Sequence, residues 1–191
     1  MKLIIDQAIE VTPDQAQAAL LDAAFYESLG QLEGISAPEV RSLSSENGRA
    51  HAVLGYRFAG ELNGVARSVL DPAKLTWAQL TDVDLPARRT EIRMVPDNYA
   101  GLLSFAGWYE LRPGEGGGTC QHLEAELRVN VPLLGALAER AIAGSIGENL
   151  AATAALVERF VAGQRASAAG SRQRAKRAPP AKAGEADGGS G

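Results

Sequence analysis

The sequence contains few of the residues from which disulfides and metal sites are built. It has one cysteine and two histidines among 191 residues. A single cysteine, Cys120, cannot form an intrachain disulfide, which is the common situation in a reducing compartment. Folds that depend on a disulfide framework are therefore excluded.

Long apolar runs are also missing. No run reaches the roughly 20 residues that a helix needs to span a bilayer, because Glu139 and Arg140 interrupt the most apolar segment. The first residues, "MKLIIDQAIEVTPDQ", carry Asp6 within their apolar run and have no small-residue cleavage site, so they do not form a signal peptide. We therefore expect a cytoplasmic protein without a membrane span.

The composition that remains, 46% hydrophobic and 22% charged, is typical of a globular domain. The last residues, "QRASAAGSRQRAKRAPPAKAGEADGGSG", hold six basic and two acidic side chains and no large apolar one. Such a segment cannot bury enough apolar surface to offset the entropy of ordering. We therefore predict a domain over residues 1–163 and a disordered basic tail over 164–191. A solubilising role is favoured for the tail over contact with nucleic acid or an acidic surface.

The chain begins with a predicted strand and two short helices. Apolar residues alternate from Lys2 to Val11, as in a half-buried strand. Thr12, Pro13 and Gln15 then form the pattern of a helix N-terminus with a capping box. The predicted helix runs to about Asp22, and a second short helix ends near Gly30.

Alternation and turn residues predict an antiparallel series of six further strands. In "CQHLEAELRVNV" the alternate positions are apolar, so one face of the sheet is buried and the other meets water. Gly107, inside a long strand, predicts a bend or bulge. The glycine-rich "RPGEGGGT" precedes a strand and not a helix, which favours a hairpin over a phosphate-binding loop. The six strands are predicted at about 39–45, 50–58, 75–85, 88–95, 102–111 and 119–131.

The last predicted element of the domain is a long helix. Asn130 and Pro132 are suited to its first residues. At 100° per residue, one face collects a stripe of apolar and small residues, which either brings the helix close to the sheet or leaves space. Residues 60–72 predict a further short helix, either a lid or a core-capping connection. The predicted stripe contains Leu134, Ala138, Ile142, Ser145, Asn149, Ala152, Thr153, Leu156 and Phe160.

The order strand, two short helices, six strands and long helix resembles the START-like, or SRPBCC, superfamily, and within it an uncharacterised bacterial family. The resemblance covers about residues 1–163 and is carried by "TPDQAQAALLDAAFYESLG", "LTWAQLTDVD", "FAGWYELRP" and "LRVNVPLLGALAERAIAGSIGENL". It implies an α+β helix-grip fold, in which a curved antiparallel sheet of about seven strands wraps around the C-terminal helix. It also implies a cavity for lipids, polyketides or similar hydrophobic molecules. It implies no catalytic residue and no cofactor.

The candidate cavity-lining residues are the polar, small and aromatic side chains on predicted inner faces. The polar ones either satisfy one another, the backbone or ordered water, or orient a mostly apolar ligand. Asn149, near the middle of the helix stripe, is the leading candidate for that second role. The candidates are Gln7, Tyr56, Gln79, Thr81, Thr90, Phe105, Tyr109, Ala138, Ser145, Asn149 and Thr153.

The sequence offers little for metal binding or catalysis. Cys120 and His122 form a short C-x-H pair near Glu124, and the other histidine is His51. All lie on predicted outward faces, which indicates solvated surface residues and neither a metal site nor a nucleophile. We therefore predict non-catalytic binding of a small hydrophobic molecule. The alternatives are a cyclase or hydrolase that uses the same cavity, and a protein-interaction module whose cavity is filled by its own side chains.

Overall fold

The structure, a computed structural model, describes residues 1–61, 67, 70–131 and 135–177, with side chains up to residue 169. The chain divides into a unit of residues 1–161 and a second unit that begins at Ala162. The predicted lid segment at 60–72 and the first turn of the predicted long helix fall largely outside the described residues.

The predicted order of elements is confirmed, with boundaries that differ from prediction by a few residues at most within the sheet. A 3-10 turn, Leu29–Gln31, follows the second helix. The elements are β1 (Lys2–Ile9), α1 (Pro13–Leu20), α2 (Ala23–Ser28), β2 (Glu39–Glu46), β3 (Arg49–Arg57), β4 (Thr76–Asp84), β5 (Arg89–Pro96), β6 (Leu103–Pro113), β7 (Thr119–Val129) and α3 (Gly135–Arg177).

The first helix begins where its capping residues predict. The Thr12 hydroxyl accepts a hydrogen bond from the backbone N–H of Gln15, and the Gln15 side chain accepts one from the backbone N–H of Thr12. Asp22 caps α2 by accepting from the backbone N–H of Ala24 at 2.9 Å. These caps turn the chain from the end of β1 into two short helices.

The seven strands form one curved antiparallel sheet in the order β1-β7-β6-β5-β4-β3-β2. Strands β2 to β7 form a meander of consecutive neighbours, whereas β1 pairs with β7 and forms the opposite edge. A curved sheet with a long C-terminal helix, and with two short helices after its first strand, is a helix-grip fold of the α+β class, as predicted.

Gly107 does not mark a bulge, which corrects the expectation from the sequence. The pairing of β6 with β5 and with β7 runs through Gly107 without a shift. A Cβ atom at this position would lie 2.3 Å from the carbonyl oxygen of Glu124 and 2.5 Å from the Cβ of Ala125. Glycine is therefore required here by the close approach of β6 and β7. The register shift of the sheet lies instead in β2, between Val40 and Ser42.

The core of the first unit has two clusters. One surrounds Phe25 of α2 and joins it to the end of β1, to β3 and to the helix residues Leu156 and Val157. The other places Ile146 and Leu150 of α3 against Leu127 and its neighbours in β7. Each cluster thus ties α3, up to Val161, to a different part of the fold.

The inner stripe of α3 is rotated from the predicted one. Ile142 and Leu156 are at least partly buried as predicted, but Ser145 and Ala152 are exposed, and Ile146, Leu150, Ala154 and Val157 take the central positions. The reason is that the helix is rich in Ala, Gly and Ser, which give little contrast between faces. The larger Ile, Leu and Val side chains determine which side packs on the sheet.

In the second unit, residues 162–177 are helical, whereas the sequence predicted disorder from residue 164. Ala, Arg, Gln and Lys are strong helix formers, so these residues can form a helix although they have no large apolar side chain to bury. Residues 162–169 are exposed. Residues 178–191 lie outside the described part of the chain. In the residues that the structure describes, no helix is long and apolar enough to cross a membrane.

Candidate functional site

The strand pairings determine which side chains share the concave face of the sheet. Residues opposite one another in neighbouring strands project from the same side. Trp77 of β4 is opposite Tyr56 of β3, and the next rows contain Gln79 with Met94 and Thr81 with Ile92. Phe105 of β6 extends the row of Met94. We refer to this side of the sheet as the inner face.

The inner face is covered at its two sides and open in its middle. Leu54 and Tyr56 of β3 are 3% and 6% exposed, and Leu127 of β7 is fully buried beneath α3. Between them, the inward side chains of β4 to β6 are buried at one end, at Val83, Thr90 and Leu111, and partly exposed over the rest. This open strip is called the groove below, and its residues are Trp77, Gln79, Thr81, Ile92, Met94 and Phe105.

Packing clusters form the two walls of the groove. Phe105 packs against the same cluster of β7 residues as Ile142 and Ile146 of α3, so the helix borders the groove on that side. On the other side, the rings of Tyr56 and Trp77 stack with centroids 5.7 Å apart and planes 15° apart. Burial raises the pKa of the Tyr56 hydroxyl above its usual value. The groove therefore has an aliphatic wall and an aromatic wall.

A small cleft lies where α1 approaches the inner face. Its lining includes Tyr109, Thr90 and Arg88, and its cavity volume is about 10 Å³. Burial raises the pKa of the Tyr109 hydroxyl, while a hydrogen bond with Thr90 opposes that rise. The Arg88 guanidinium donates to Asp14 at 2.7 and 2.9 Å. Sites for drug-sized ligands usually enclose roughly 300 Å³ or more, so this cleft is too small to be the ligand cavity.

Several predicted polar candidates bond to the backbone. The Gln7 amide donates to the carbonyl of Ala8 at 2.9 Å, the Thr81 hydroxyl to that of Ala52 at 3.4 Å, and the Asn149 amide to that of Glu33 at 3.3 Å. Within the described part of the chain, the Gln79 side chain makes no hydrogen bond. Its amide is therefore available to a ligand in the groove.

The structure brings only some of the predicted candidates together. Gln79, Thr81 and Phe105 line the groove, whereas Thr90 and Tyr109 lie at the α1 cleft. On α3, Ala138, Asn149 and Thr153 are partly buried, but Ser145 is exposed and does not lie on the inner stripe where the sequence placed it.

Three groove residues were missed by sequence reasoning: Trp77, Ile92 and Met94. The signal that could have found them is the alternation of β4 and β5, since they share a strand face with Gln79, Thr81 and Thr90.

The Cys120 and His122 side chains lie on the convex side of the sheet. His122 Nδ1 is 2.6 Å from a carboxylate oxygen of Asp6, and Nε2 is 3.5 Å from Glu124. The histidine side chain is only 14% exposed, so it is less solvated than predicted. A hydrogen bond to His122 lowers the pKa of Asp6.

The remaining convex-face contacts favour a structural role. Lys2 Nζ lies 2.9 Å from Glu124. Burial raises the pKa of the Cys120 thiol, which disfavours the thiolate that a nucleophile requires. Among the described residues, no group of three metal-ligating side chains could hold a metal ion.

Comparisons with known proteins agree with this fold. Residues 5–161 match a family model described as protein of unknown function (DUF2505). The chain is similar to the Zhui aromatase/cyclase from Streptomyces sp. R1128, with a TM-score of 0.58, 16% identity and coverage of 84% of this chain and 93% of that chain. It is similar to the protein TTHA0849 from Thermus thermophilus, with a TM-score of 0.58, 16% identity and coverage of 86% of this chain and 99% of that chain.

A third similar structure is a point mutant of norcoclaurine synthase from Thalictrum flavum, in complex with a transition-state analogue. The TM-score is 0.53 at 15% identity, with coverage of 86% of this chain and 96% of that chain. No curated protein matches the sequence. At these identities the similarities show the fold alone, which is the helix-grip fold that the sequence predicted.

Proposed function

Because the chain belongs to the DUF2505 family and has a helix-grip fold, we propose that it binds a small hydrophobic molecule in the groove. The observation that supports this proposal is the incomplete burial of Trp77, Ile92, Met94 and Phe105. These side chains lie on the concave side of the sheet, between the buried inward side chains of β3 and β7. Apolar side chains that converge there with a few neutral polar groups are typical of a small-molecule site.

The hydrophobic effect supplies the driving force for such binding. Removing apolar surface from water stabilises a complex by about 25 cal/mol per Å². A ligand that covered about 200 Å² of the groove would gain about 5 kcal/mol before the cost of association. The Gln79 amide and the Thr81 hydroxyl would then orient any polar group that the ligand carries.

Binding without a reaction is favoured over catalysis by the side chains that line the groove. Two similar structures are by name an aromatase/cyclase and a synthase, so catalysis is the alternative. General acid–base chemistry at neutral pH works best with groups whose pKa lies near 7. Among the described residues that border the groove and the cleft, Arg88 is bonded to Asp14. The other titratable groups there are Tyr56 and Tyr109, and burial raises the pKa of both away from that range.

Uptake of the neutral, environment-sensitive dye N-phenyl-1-naphthylamine tests the proposal. We expect saturable fluorescence enhancement with the wild-type chain. Ile92→Trp should block the groove and abolish this enhancement, while thermal stability holds because Ile92 is only partly buried. Met94→Trp provides a second blocking variant. Ala106→Trp is the matched control, since Ala106 is exposed on the convex side of the neighbouring strand.

The dye experiment also separates the alternatives. Absence of uptake by the wild-type chain, or equal uptake by the wild-type and both blocked variants, would refute binding in the groove. The former result would favour a protein-interaction module. Mass spectrometry of an organic extract of the purified protein would identify a retained hydrophobe, and turnover of that molecule by the protein would favour an enzyme.

A further inference from the structure

The groove is lined by neutral side chains throughout. Its residues are the aromatic Trp77 and Phe105, the aliphatic Ile92, the thioether Met94, and the neutral polar Gln79 and Thr81. The same strands are rich in charge, but their charged residues alternate with the groove residues and project from the convex side. Charge is therefore separated between the two faces of one sheet.

Several of the convex charges pair with one another. Arg89 Nη1 lies 2.8 Å from Glu110, and its guanidinium lies 3.7 Å from the centre of the Trp108 ring. Arg49 Nη2 lies 3.5 Å from a carboxylate oxygen of Asp84. These contacts hold Arg49 of β3 and Arg89 of β5 on the outer side.

The side chains near the ends of the groove are also neutral or paired. Arg88, at the α1 cleft, is bonded to Asp14. Burial keeps the nearby Tyr56 and Tyr109 hydroxyls protonated, because it raises the pKa of each. The groove is thus an apolar surface with neutral donors and acceptors.

A charged ligand in such a groove would lose hydration without gaining a counter-ion. Burying an ionised group without a partner is far more costly than burying a neutral polar group that finds a hydrogen bond. We propose that the groove selects uncharged hydrophobic molecules that carry neutral hydrogen-bonding groups, and that it excludes the corresponding anions. This inference rests on the proposed function, since it concerns the ligand class of the same groove.

Two dyes that differ by one charge test the inference. N-phenyl-1-naphthylamine is neutral, and 8-anilino-1-naphthalenesulfonate has the same ring system with a sulfonate added. We expect the wild-type chain to bind the sulfonate at least about tenfold more weakly, a difference of about 1.4 kcal/mol. We also expect affinity for the neutral dye to stay constant between about pH 6 and 9, since the nearby tyrosines do not titrate there.

A charge placed in the groove should reverse the preference. Gln79→Lys puts a cation among the groove residues, and we expect it to strengthen sulfonate binding about tenfold and to weaken binding of the neutral dye. Thr81→Lys is a second variant of the same design, in case the first does not fold. Ala106→Lys adds the same charge on the convex side and should leave both affinities unchanged.

Each outcome bears on one of the two proposals. Comparable affinity of the wild-type chain for both dyes, with mutual competition, would overturn charge exclusion and leave groove binding intact. Binding of the neutral dye without any gain of sulfonate binding in the folded lysine variants would overturn the assignment of selectivity to these residues. Failure of the wild-type chain to bind the neutral dye would overturn the proposed function, and charge exclusion with it.

Discussion

Gly107→Ala tests the close packing of β6 on β7, which holds the inner face together. The added Cβ would lie 2.3 Å from the carbonyl oxygen of Glu124, and 2.5 and 2.6 Å from the Cβ and Cα of Ala125. Non-bonded heavy atoms pack best at about 3.5–4.0 Å. The obstructing atoms belong to or adjoin the backbone of β7, so they cannot move away by a change of rotamer.

The expected cost follows from the number of contacts that must change. The strands pair continuously from Leu103 opposite Val129 to Pro113 opposite Thr119. Moving β7 by about 1 Å would disturb hydrogen bonds on both sides of Gly107 and the packing of Leu127 beneath α3. Overpacking of a core typically costs about 1–3 kcal/mol. We expect the upper end, about 3 kcal/mol, because the neighbour is a paired strand.

Thermal and urea unfolding measure this cost. For a chain of this length, about 3 kcal/mol corresponds to a fall in Tm of about 6–12 °C. The urea midpoint should fall at an unchanged slope, which would show that stability and not the denatured state has changed. Gly101→Ala is the control, since a Cβ there has no heavy atom within 4 Å. A Gly107→Ala variant within about 0.5 kcal/mol of the wild type would refute the close approach.

Three further predictions concern the helix, the convex face and the tail. Gly144→Ala should raise stability by about 0.5–1 kcal/mol in urea unfolding, because Gly144 is an exposed helical residue with open space around its Cβ position; a loss of stability would show a hidden contact. Asp6→Asn should flatten the fall in Tm with acid: the hydrogen bond to His122 lowers the carboxyl pKa below 3.8 on folding, so this contribution is present above pH 3.8 and is lost as pH falls through the folded-state pKa. An unchanged acid profile would contradict that coupling. Truncation after Gly163 should leave Tm nearly unchanged, and a fall of several degrees would show that the tail contributes to stability.

The sheet could be predicted from the sequence because alternation is a local signal. Leu123 and Leu127 point inward and Glu124 points outward in the same strand. The alternation within each strand is therefore enough to predict which of its side chains face the core. The groove could not be predicted as fully, because it depends on which strands α3 covers. Trp77 and Tyr56 both lie on inward faces, yet only tertiary packing leaves the former partly exposed and buries the latter.

The helix shows where the pattern becomes too weak to decide. Ser145 and Ile146 are adjacent in sequence and differ by 100° around the helix. With glycines at 144 and 147, the sequence leaves several rotations nearly equivalent, and the structure chooses the one that places Ile146 on β7. The prediction of a bulge at Gly107 was wrong for a different reason, since both a bulge and a close approach of two strands favour glycine.

The pairing of β1 with β7 has a consequence for synthesis. Lys2 lies opposite Glu126, and the backbone N–H of Leu127 donates to the carbonyl of Met1 at 2.9 Å. β1 is therefore synthesised more than a hundred residues before its partner β7, whereas β2 to β6 pair with strands adjacent in sequence. Contacts of such long sequence separation slow folding. During that interval the hydrogen-bonding edge of β1 is unpaired and its apolar face, with Leu3 and Ile9, is uncovered. The strand can then pair with a wrong partner. A nascent-chain length series probed by limited proteolysis should therefore show the meander protected first and residues 2–9 protected only after β7 has left the exit tunnel.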